Sequence, residues 1–311
     1  MSLAAKSHNG ADGRAHVPVM AVEVVELLSA PHPLTIVDAT LGTGGHSAAM
    51  LTAAGQARLL AIDRDANAIE HAREGLAQFG SRVVAVQANF SEIASVMREA
   101  GFERADAILA DLGMSSFALD DASRGFSFRL DGPLDMRMDQ RAQYSAYDLI
   151  NEESEAELAR IIREYGEERM PGRIARTIVE ARRKRRIETS AELRALVERA
   201  IGTRRSGGIH PATRTFQAIR IAVNREVESL EAFLRDAPTM LAPGGRLAII
   251  AYHSLEDRAV KNCFRELGRT GAYKNLSAKV IKPTPREIAE NPRARSARLR
   301  CLEKMSGGDP L

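Results

Sequence analysis

Three apolar stretches of the sequence each end in an aspartate. Asp38 ends TIVD, Asp63 ends RLLAID and Asp111 ends ADAILAD. If these stretches are neighbouring parallel strands, their carboxylates meet at the carboxyl edge of one sheet, where open α/β sheets bind ligands. One carboxylate at a strand end is commonplace, whereas three around one edge indicate a binding or catalytic site.

The turn after the first of these strands reads ATLGTGGHS. Gly42, Gly44 and Gly45 allow a sharp turn and a close approach of a ligand to the backbone. The amides that begin the next helix, predicted near residue 47, favour negative charge. The Gly-x-Gly-Gly spacing differs from the G-x-G-x-x-G of dinucleotide enzymes. Taken alone, such a turn can equally be a tight connection, and His46 beside it can be structural.

The position of Asp63 makes a nucleoside site the better interpretation of this turn. Asp63 follows the glycines by about 20 residues, the distance at which an acidic side chain reaches a ribose hydroxyl. The next predicted strand ends in Asn89-Phe90, an amide and an aromatic ring that suit an adenine, although a helix cap and a core ring explain the pair as well. We therefore predict a nucleoside-binding βαβ half, with Asp38 and Gly42 in the site.

The elements that position these residues follow an α/β rhythm. Apolar runs predict strands over 35–39, 58–63, 82–89, 105–111 and 246–252, with helical patterns between the first four. Such alternation predicts a doubly wound, parallel-rich sheet. The fifth strand ends in Tyr252-His253-Ser254, which places His253 at the carboxyl edge as well.

The rhythm breaks between the fourth and fifth strands. Residues 112–216 contain no convincing strand but show helical patterns at 155–165, 173–185 and 191–200. We predict an inserted helical domain, because insertion at a sheet-edge loop is tolerated where the two ends stay close. The predicted domains are a disordered leader over 1–15, a sheet domain over 16–115 and 217–311, and the insert over 116–216.

Composition narrows the class of protein. The chain has 311 residues, 44% of them hydrophobic, but no apolar run long enough to span a membrane and no signal-peptide pattern. The two cysteines, Cys263 and Cys301, argue for a reducing compartment and against a disulfide framework or a zinc cluster. We expect a cytoplasmic protein without a metal site.

Basic clusters are more informative than the net charge of +3. The strongest run, Arg182-Arg183-Lys184-Arg185-Arg186, is either a solvated helix face or a set of phosphate contacts. Arg214 and Arg220 lie on a helix predicted over 210–224. Arg214 is a further candidate for RNA contact, and Arg220 has Glu226 or Glu228 as an expected partner. The tail NPRARSARLR is basic and strand-like at its end, and we expect it to pair at the sheet edge or to contact nucleic acid.

Several longer segments carry a specific resemblance. The chain closely resembles the bacterial small-subunit (16S) ribosomal RNA (cytosine-N4)-methyltransferases, which use S-adenosylmethionine. The resemblance implies a Rossmann-like class I methyltransferase domain with an inserted α-helical domain, in agreement with the α/β pattern. The matching segments span most of residues 16–301 and are HVPVM, VDATLGTGGHS, LLAIDRD, DLGMSS, LDDASRGFSFRLDGPLDMRMD, YGEER, HPATRTFQAIRIAVN, LAPGGRLAIIAYHSLEDR and NPRARSARLR.

The resemblance also implies roles for individual residues. The family usually has glutamine where this chain has Ala118, so Ala118 can contribute only backbone or packing contacts. The implied cofactor contacts are Gly44, Gly45 and His46, Asp63 at the ribose hydroxyls, Phe90 at the adenine, and Asp111 at the methionine end.

We expect methyl transfer to the exocyclic N4 amine of a specific cytidine in the decoding region of 16S ribosomal RNA. Asp111 is the first candidate to accept the amine hydrogens, and His253 and Ser254 are candidates to orient the base or to take the proton. The base must be unstacked to enter such a pocket. Phe126, Phe128 and Arg129 are candidates for stacking and phosphate contact, with packing of the insert as the alternative.

The expected partner is small-subunit ribosomal RNA within the assembled or nearly assembled subunit. The oligomeric state stays open, a homodimer included. Two competing functions remain: an RNA-binding assembly factor that keeps the cofactor fold without turnover, and a methyltransferase for DNA, another nucleic-acid amine or a small amine. An NAD-linked oxidoreductase is the weakest alternative because of the Gly-x-Gly-Gly spacing.

Overall fold

The computed structural model describes residues 17–29, 32–114, 119–202 and 210–307. It divides into two compact units, of which the first runs to Gly113 and resumes at Val227, and the second is Met114–Glu226. The expected end of the insert at 216 falls too early, because the helix Ala212–Asn224 buries Phe216 and Ile219 in the core of the second unit. The predicted leader 1–15 lies outside the described residues.

The first unit is built on one seven-stranded sheet. Its strands are β1 Thr35–Asp38, β2 Arg58–Asp63, β3 Val83–Gln87, β4 Ala105–Asp111, β5 Leu241–Ala251, β6 Tyr273–Asn275 and β7 Arg298–Lys304. They lie in the order β3-β2-β1-β4-β5-β7-β6. The strands β1 to β5 are parallel to one another, and β7 is antiparallel to β5 and β6. The predicted fold class, a doubly wound and parallel-rich α/β sheet, is confirmed.

The last two strands differ from the prediction. The basic tail does form a strand, β7, but this strand lies inside the sheet between β5 and β6, and five of its seven residues are buried. The outermost position belongs to β6, whose three residues are too few to show an alternating pattern in the sequence.

The helices cover the sheet and form the second unit. Their bounds are α1 Ala21–Leu28, α2 Gly45–Ala53, α3 Ala66–Leu76, α4 Ile93–Glu99, α5 Ala146–Glu152, α6 Glu155–Glu164, α7 Pro171–Arg182, α8 Ser190–Ile201, α9 Ala212–Asn224, α10 Glu226–Asp236, α11 Ser254–Arg269 and α12 Pro285–Glu290. None of the helices in the described ranges is long and apolar enough to cross a membrane.

Apolar side chains are buried on both faces of the sheet. Successive residues of a strand point to opposite faces, so Val37 belongs to one core cluster and its neighbour Ile36 to the other. Parallel strands that are covered on both faces read as continuous apolar runs. This burial explains why β2 and β4 were predicted with their observed bounds.

The second unit is helical in its described residues, which contain an isolated bridge between Pro133 and Thr189 but no strand. Capping boxes begin two of its helices: Ser145 with Asp148 at α5, and Thr189 with Glu192 at α8. The sequence missed α5, which has only seven residues.

Candidate functional site

The glycine turn between β1 and α2 has the backbone geometry that its sequence predicts. Gly42 and Gly44 have φ angles of +52° and +79°, in the left-handed region that favours glycine. A Cβ added to Gly44 would also lie 3.2 Å from the Cβ of Ala72. The helix begins at Gly45, two residues before the predicted start, and a Cβ there would lie 3.2 Å from the Pro18 ring. These glycines therefore permit both the turn and its close packing.

Asp63 ties the end of β2 to this turn. Its Oδ2 accepts the N–H of Gly42 at 2.8 Å, and its Oδ1 accepts the N–H of Asp65 at 2.9 Å. Burial raises the pKa of the Asp63 carboxyl, and the two backbone hydrogen bonds oppose that rise. A carboxylate oxygen has two acceptor sites, so each oxygen keeps one for a hydroxyl donor such as those of a ribose.

Asp38 supports the turn from below. Its Oδ2 accepts the hydroxyl of Ser47 at 2.6 Å, and its Oδ1 accepts the N–H of Thr40 at 3.2 Å. The side chain is only 1% exposed, and burial raises its pKa. The predicted direct contact between Asp38 and a cofactor is therefore wrong for this structure, because the carboxylate is buried and accepts hydrogen bonds from the turn and from α2.

Asp111 is a strand-end carboxylate that, like Asp63, is partly exposed. Its side chain is 22% exposed, and its Oδ1 accepts the N–H of Gly113 at 3.1 Å. The hydroxyl of Tyr252 also donates to this carboxylate. Burial raises the pKa of Asp111 to about 6, a rise that the hydrogen bond from Tyr252 limits. A carboxyl group with this pKa titrates close to the pH at which enzymes work.

His46 lies beside this carboxylate. Its Nε2 is 3.5 Å from Oδ2 of Asp111, and the imidazole is 7% exposed. Burial lowers the pKa of His46, which favours the neutral ring. Within the described residues neither ring nitrogen has a hydrogen-bond partner. A buried imidazole at the glycine turn with unused polar atoms is consistent with the cofactor contact that the resemblance implies.

Tyr252 was missed by the sequence analysis. It directly follows β5, the neighbour of β4 in the sheet, and the register pairs Asp111 with Ile250. The position of Tyr252, two residues beyond the register partner of Asp111, could have indicated a contact with this acid. The prediction named the adjacent His253 instead.

His253 begins α11, and its side chain is engaged in the cap. Its Nδ1 lies 3.4 Å from the backbone nitrogen of Glu256, and its Nε2 lies 3.0 Å from Oε1 of the same residue. In return, Oε2 of Glu256 accepts the N–H of Tyr252 at 2.8 Å and that of His253 at 3.3 Å. Ser254 is the first residue of the helix. The catalytic roles of His253 and Ser254 stay predictions, with capping as the observed role of the histidine.

Asn89 and Phe90 form the helix cap and the packed ring that the structural alternative predicted. Asn89 caps a helical turn by accepting the N–H of Ser91, and the ring of Phe90 packs edge-to-face on Phe233 at 5.3 Å. The guanidinium of Arg64 lies 5.7 Å from the centre of the Phe90 ring, which is only half-buried. The adenine contact at Phe90 stays a prediction.

The aromatic candidates of the second unit pack within it. Phe126 is 6% exposed, which excludes it as a stacking surface and supports the packing alternative. The ring of Phe128 stacks on His210 at 4.5 Å and meets Phe216 edge-to-face at 5.6 Å, and Arg129 lies 6.0 Å from its centre. His210 therefore already occupies a face of the ring that was expected to receive a base. Ala118, the position of the expected glutamine, lies outside the described residues.

The basic run is not one uniform surface. The guanidinium of Arg182 donates to the carbonyls of Ile150 and Glu153, so it closes the end of α5. Arg185 forms an ion pair with Glu192, and Arg186 lies 3.8 Å from Glu152. Phosphate contact by Arg182 is contradicted by its internal bonds, whereas Arg183 and Lys184 are exposed.

The other two arginines singled out in the sequence also have internal partners. Arg214 donates to the carbonyl of Glu167 at 3.0 Å. Arg220 forms two hydrogen bonds of 2.8 Å with Glu226, as expected.

The residues at the carboxyl edge of the sheet fit a nucleoside cofactor with an amino-acid end. The strands β2, β1 and β4 are neighbours, which brings the acceptor Asp63, the glycine turn and Asp111 to one edge. This sheet order with an antiparallel β7, and this edge, define a Rossmann-like methyltransferase.

Comparison with known proteins identifies the family. The family model of the MraW methylase family matches residues 13–305, and the chain belongs to this family. A ribosomal RNA small subunit methyltransferase H from Sorangium cellulosum is 48% identical over 299 residues, covering 96% of this chain and 94% of that protein. Proteins of the same name from Cyanothece and Trichormus variabilis are 49% and 50% identical, each over 93% of this chain and 95% and 92% of their own length.

The family resemblance inferred from the sequence is thus confirmed. The chain is a methyltransferase, and the predicted cofactor, S-adenosylmethionine, is the methyl donor of this class.

Proposed function

We propose that this protein transfers a methyl group from S-adenosylmethionine to the N4 amine of a specific cytidine in the decoding region of 16S ribosomal RNA. The relatives named ribosomal RNA small subunit methyltransferase H support the RNA substrate. The resemblance of the long GFSF and HPATRTFQA segments supports the cytosine amine. The observation that carries the chemistry is Asp111, an accessible carboxylate at a strand end beside the glycine turn.

Asp111 has the properties that an exocyclic amine requires. The lone pair of the cytosine amine is delocalised into the ring, so the amine is a weak nucleophile. When the carboxylate of Asp111 accepts an amine hydrogen, the lone pair is freed toward the methyl carbon. The bound cofactor supplies an activated methyl on a sulfonium; the new N–C bond forms as the S–C bond breaks, and the sulfur keeps the electron pair. The amine then loses one proton, for which Asp111 is the nearest acceptor in this scheme.

Tyr252 and the backbone of Gly113 hold this carboxylate in place. Productive transfer needs the nitrogen and the methyl carbon about 3 to 3.5 Å apart and aligned. A carboxylate fixed by two donors can set the orientation of the amine, whereas a freely rotating one cannot. In this scheme Tyr252 is a positioning residue and Asp111 is the catalytic one.

Recognition of the RNA is assigned in part to the helical unit. The target base must leave its stack, which favours a loop cytidine in the assembled or nearly assembled subunit. Arg183 and Lys184 are the strongest remaining candidates for phosphate contact in the basic run, because Arg185 and Arg186, although also exposed, lie beside Glu192 and Glu152. We assign the reaction to the cytoplasm, where small subunits are assembled.

The test is transfer of a labelled methyl group from S-adenosylmethionine to unmodified small subunits, with naked ribosomal RNA and DNA in parallel. Digestion of the RNA should place the label in N4-methylcytidine. Label in another nucleoside, or in DNA alone, would discard the substrate assignment but keep the class of enzyme.

The variant Asp111→Asn serves as the matched control, since it keeps the size of the side chain. It should bind the cofactor but transfer label about 10²- to 10⁴-fold more slowly. If the wild type binds cofactor and RNA but transfers no label to any acceptor, the assembly-factor alternative is correct.

A further inference from the structure

The positive charge of the chain is concentrated in one segment of the first unit. Residues 254–304, from the start of α11 to the end of β7, contain thirteen Lys and Arg and six Asp and Glu, a net charge of +7. The whole chain carries +3, so all other residues together carry −4. The chemistry proposed for the carboxyl edge of the sheet does not account for this asymmetry.

Four of these cations lie on α11 and the neighbouring strand β6, and two of the four line a cleft. Lys261, Arg265 and Arg269 follow each other at intervals of four residues, which places them on one face of α11, and all three are exposed. Lys274 is exposed on the neighbouring strand β6. We call these four side chains the α11 cluster. Arg265 and Lys274 both line a cleft of about 450 Å³, together with Phe264, Gly268, Gly271, Tyr273, Asn275 and Met305.

The α11 cluster differs from other exposed arginines in its lack of counter-charge. Within the described part of the chain, no carboxylate lies within 4.0 Å of any of its four cations. Like charges on one face repel each other, and a polyanion relieves that repulsion. Exposed arginines elsewhere are neutralised by a neighbour within 2.8 Å: Arg73 by Glu70, Arg141 by Asp139, Arg235 by Asp236 and Arg286 by Glu290.

The cluster lies far from the candidate active site. α11 starts at the carboxyl edge of the sheet and runs from Ser254 to Arg269, so along its axis Lys261 lies about 10 Å and Arg269 about 22 Å from that edge. Tyr273 of β6 pairs with Lys304, and Glu303 pairs with Arg246 near the start of the parallel part of β5. The cleft is therefore at the amino edge of the sheet. At about 3.4 Å per stacked nucleotide, the roughly 22 Å to Arg269 at the far end of the cluster corresponds to roughly seven nucleotides.

We propose that the α11 cluster binds the phosphate backbone of the RNA substrate at a site remote from the methylated base. Phosphate contacts add affinity and fix the register of a nucleic acid, but they take no part in the chemistry. The proposal rests on the proposed function for the identity of the polyanion. It adds an RNA-contact surface on the sheet domain to the one expected on the helical insert.

The test compares two variants with equal loss of charge. The first replaces Lys261, Arg265, Arg269 and Lys274 by glutamine, and the control replaces the four neutralised residues Arg73, Arg141, Arg235 and Arg286 by glutamine. The dissociation constant for small-subunit ribosomal RNA is measured from 50 to 200 mM salt. Each phosphate contact contributes about 0.7 to 0.9 to the slope of log Kd against log salt.

For the cluster variant we expect this slope to fall by about 2.8 to 3.6, which reduces the ratio of Kd at 200 mM to Kd at 50 mM roughly 50- to 150-fold. The control should match the wild type within about twofold. A wild-type slope in the cluster variant, or an equal fall in both variants, would overturn the proposal.

Measurements of kcat and KM distinguish a role of the α11 cluster in RNA binding from a role in methyl transfer. With saturating small subunits the cluster variant should keep the wild-type kcat and show a raised KM, and an RNA stem-loop too short to span seven nucleotides should bind both proteins equally. A loss of kcat, or an equal loss of affinity for the short RNA, would contradict a remote anchor. If the wild type methylates no RNA, the proposed function fails, and the salt slopes still decide whether the cluster binds RNA.

Discussion

The carboxylate of Asp111, the proposed catalytic group, should reduce the stability of the fold. Burial raises its pKa from 3.8 to about 6, and this interval corresponds to about 3 kcal/mol at 1.36 kcal/mol per pH unit. Because the pKa in the folded protein lies above that in the unfolded chain, the folded state binds the proton more tightly. The resulting stabilisation is complete below pH 3.8 and is lost as the pH rises through 6.

The variant Asp111→Asn removes this titration and keeps an oxygen that can accept from Tyr252 and from the N–H of Gly113. Between about pH 4 and pH 8 the free energy of unfolding of the wild type should therefore fall by up to about 3 kcal/mol relative to that of the variant. Asp38 and Asp63, whose pKa values are also raised, are present in both proteins and cancel in the difference.

The assay is urea unfolding of both proteins at a series of pH values, combined with turnover and calorimetric titration of the cofactor. Turnover of Asp111→Asn should fall by about 10²- to 10⁴-fold, with cofactor binding largely retained. Parallel stability curves would show that the carboxylate is not raised in pKa by burial. Unchanged turnover would refute its role in catalysis.

Four further substitutions test the neighbouring assignments. Tyr252→Phe removes a donor that lowers the pKa of Asp111, so the acidic limb of kcat/KM against pH should move up by about 1 to 2 pH units; a superimposable profile would show that this ionisation does not control the rate. His253→Asn keeps a good helix cap and should retain turnover, and a large loss in a folded variant would make the histidine catalytic. Asp63→Ala should weaken cofactor binding about 10- to 100-fold. A calorimetric titration that matches that of the wild type would contradict the assignment of Asp63 to the cofactor. Arg182→Ala, which loses two bonds to carbonyls at the end of α5, should lower the free energy of unfolding by about 1 to 3 kcal/mol with little effect on the salt dependence of RNA binding, and the reverse pattern would restore it as a phosphate contact.

The parts of the fold that the sequence predicted are those with strong burial patterns. β2 and β4 were predicted with their observed bounds because strands covered on both faces are continuous apolar runs that end at an aspartate. β6 and α5 were missed because three and seven residues are too few for a period to appear. The place of β7 inside the sheet could not be predicted either, since pairing between strands distant in sequence leaves no local pattern.

The sequence predicted the positions of the candidate site residues but not which of them are buried and which are exposed. Asp38 and Asp111 both end apolar strands, yet one is 1% exposed and the other 22%. Asp38 accepts hydrogen bonds from Ser47 and Thr40, and no spacing rule predicts which of two strand-end acids will be buried in this way. Likewise, the basic run was one feature in the sequence, whereas in the structure Arg182 faces inward and Lys184 is exposed.

The junction between β5 and α11 shows why residue type alone is a poor guide to catalytic residues. At the end of a strand, successive side chains point to opposite sides, so Tyr252 and His253 cannot both face Asp111. The tyrosine donates to the carboxylate, and the histidine turns to Glu256 and begins the helix. Glu256 in turn accepts the N–H of Tyr252, so the cap also fixes the backbone of the residue that holds the acid. The helix cap and the carboxylate proposed as catalytic are thus connected through one peptide segment, which gives His253 a positioning role that requires no contact with the base.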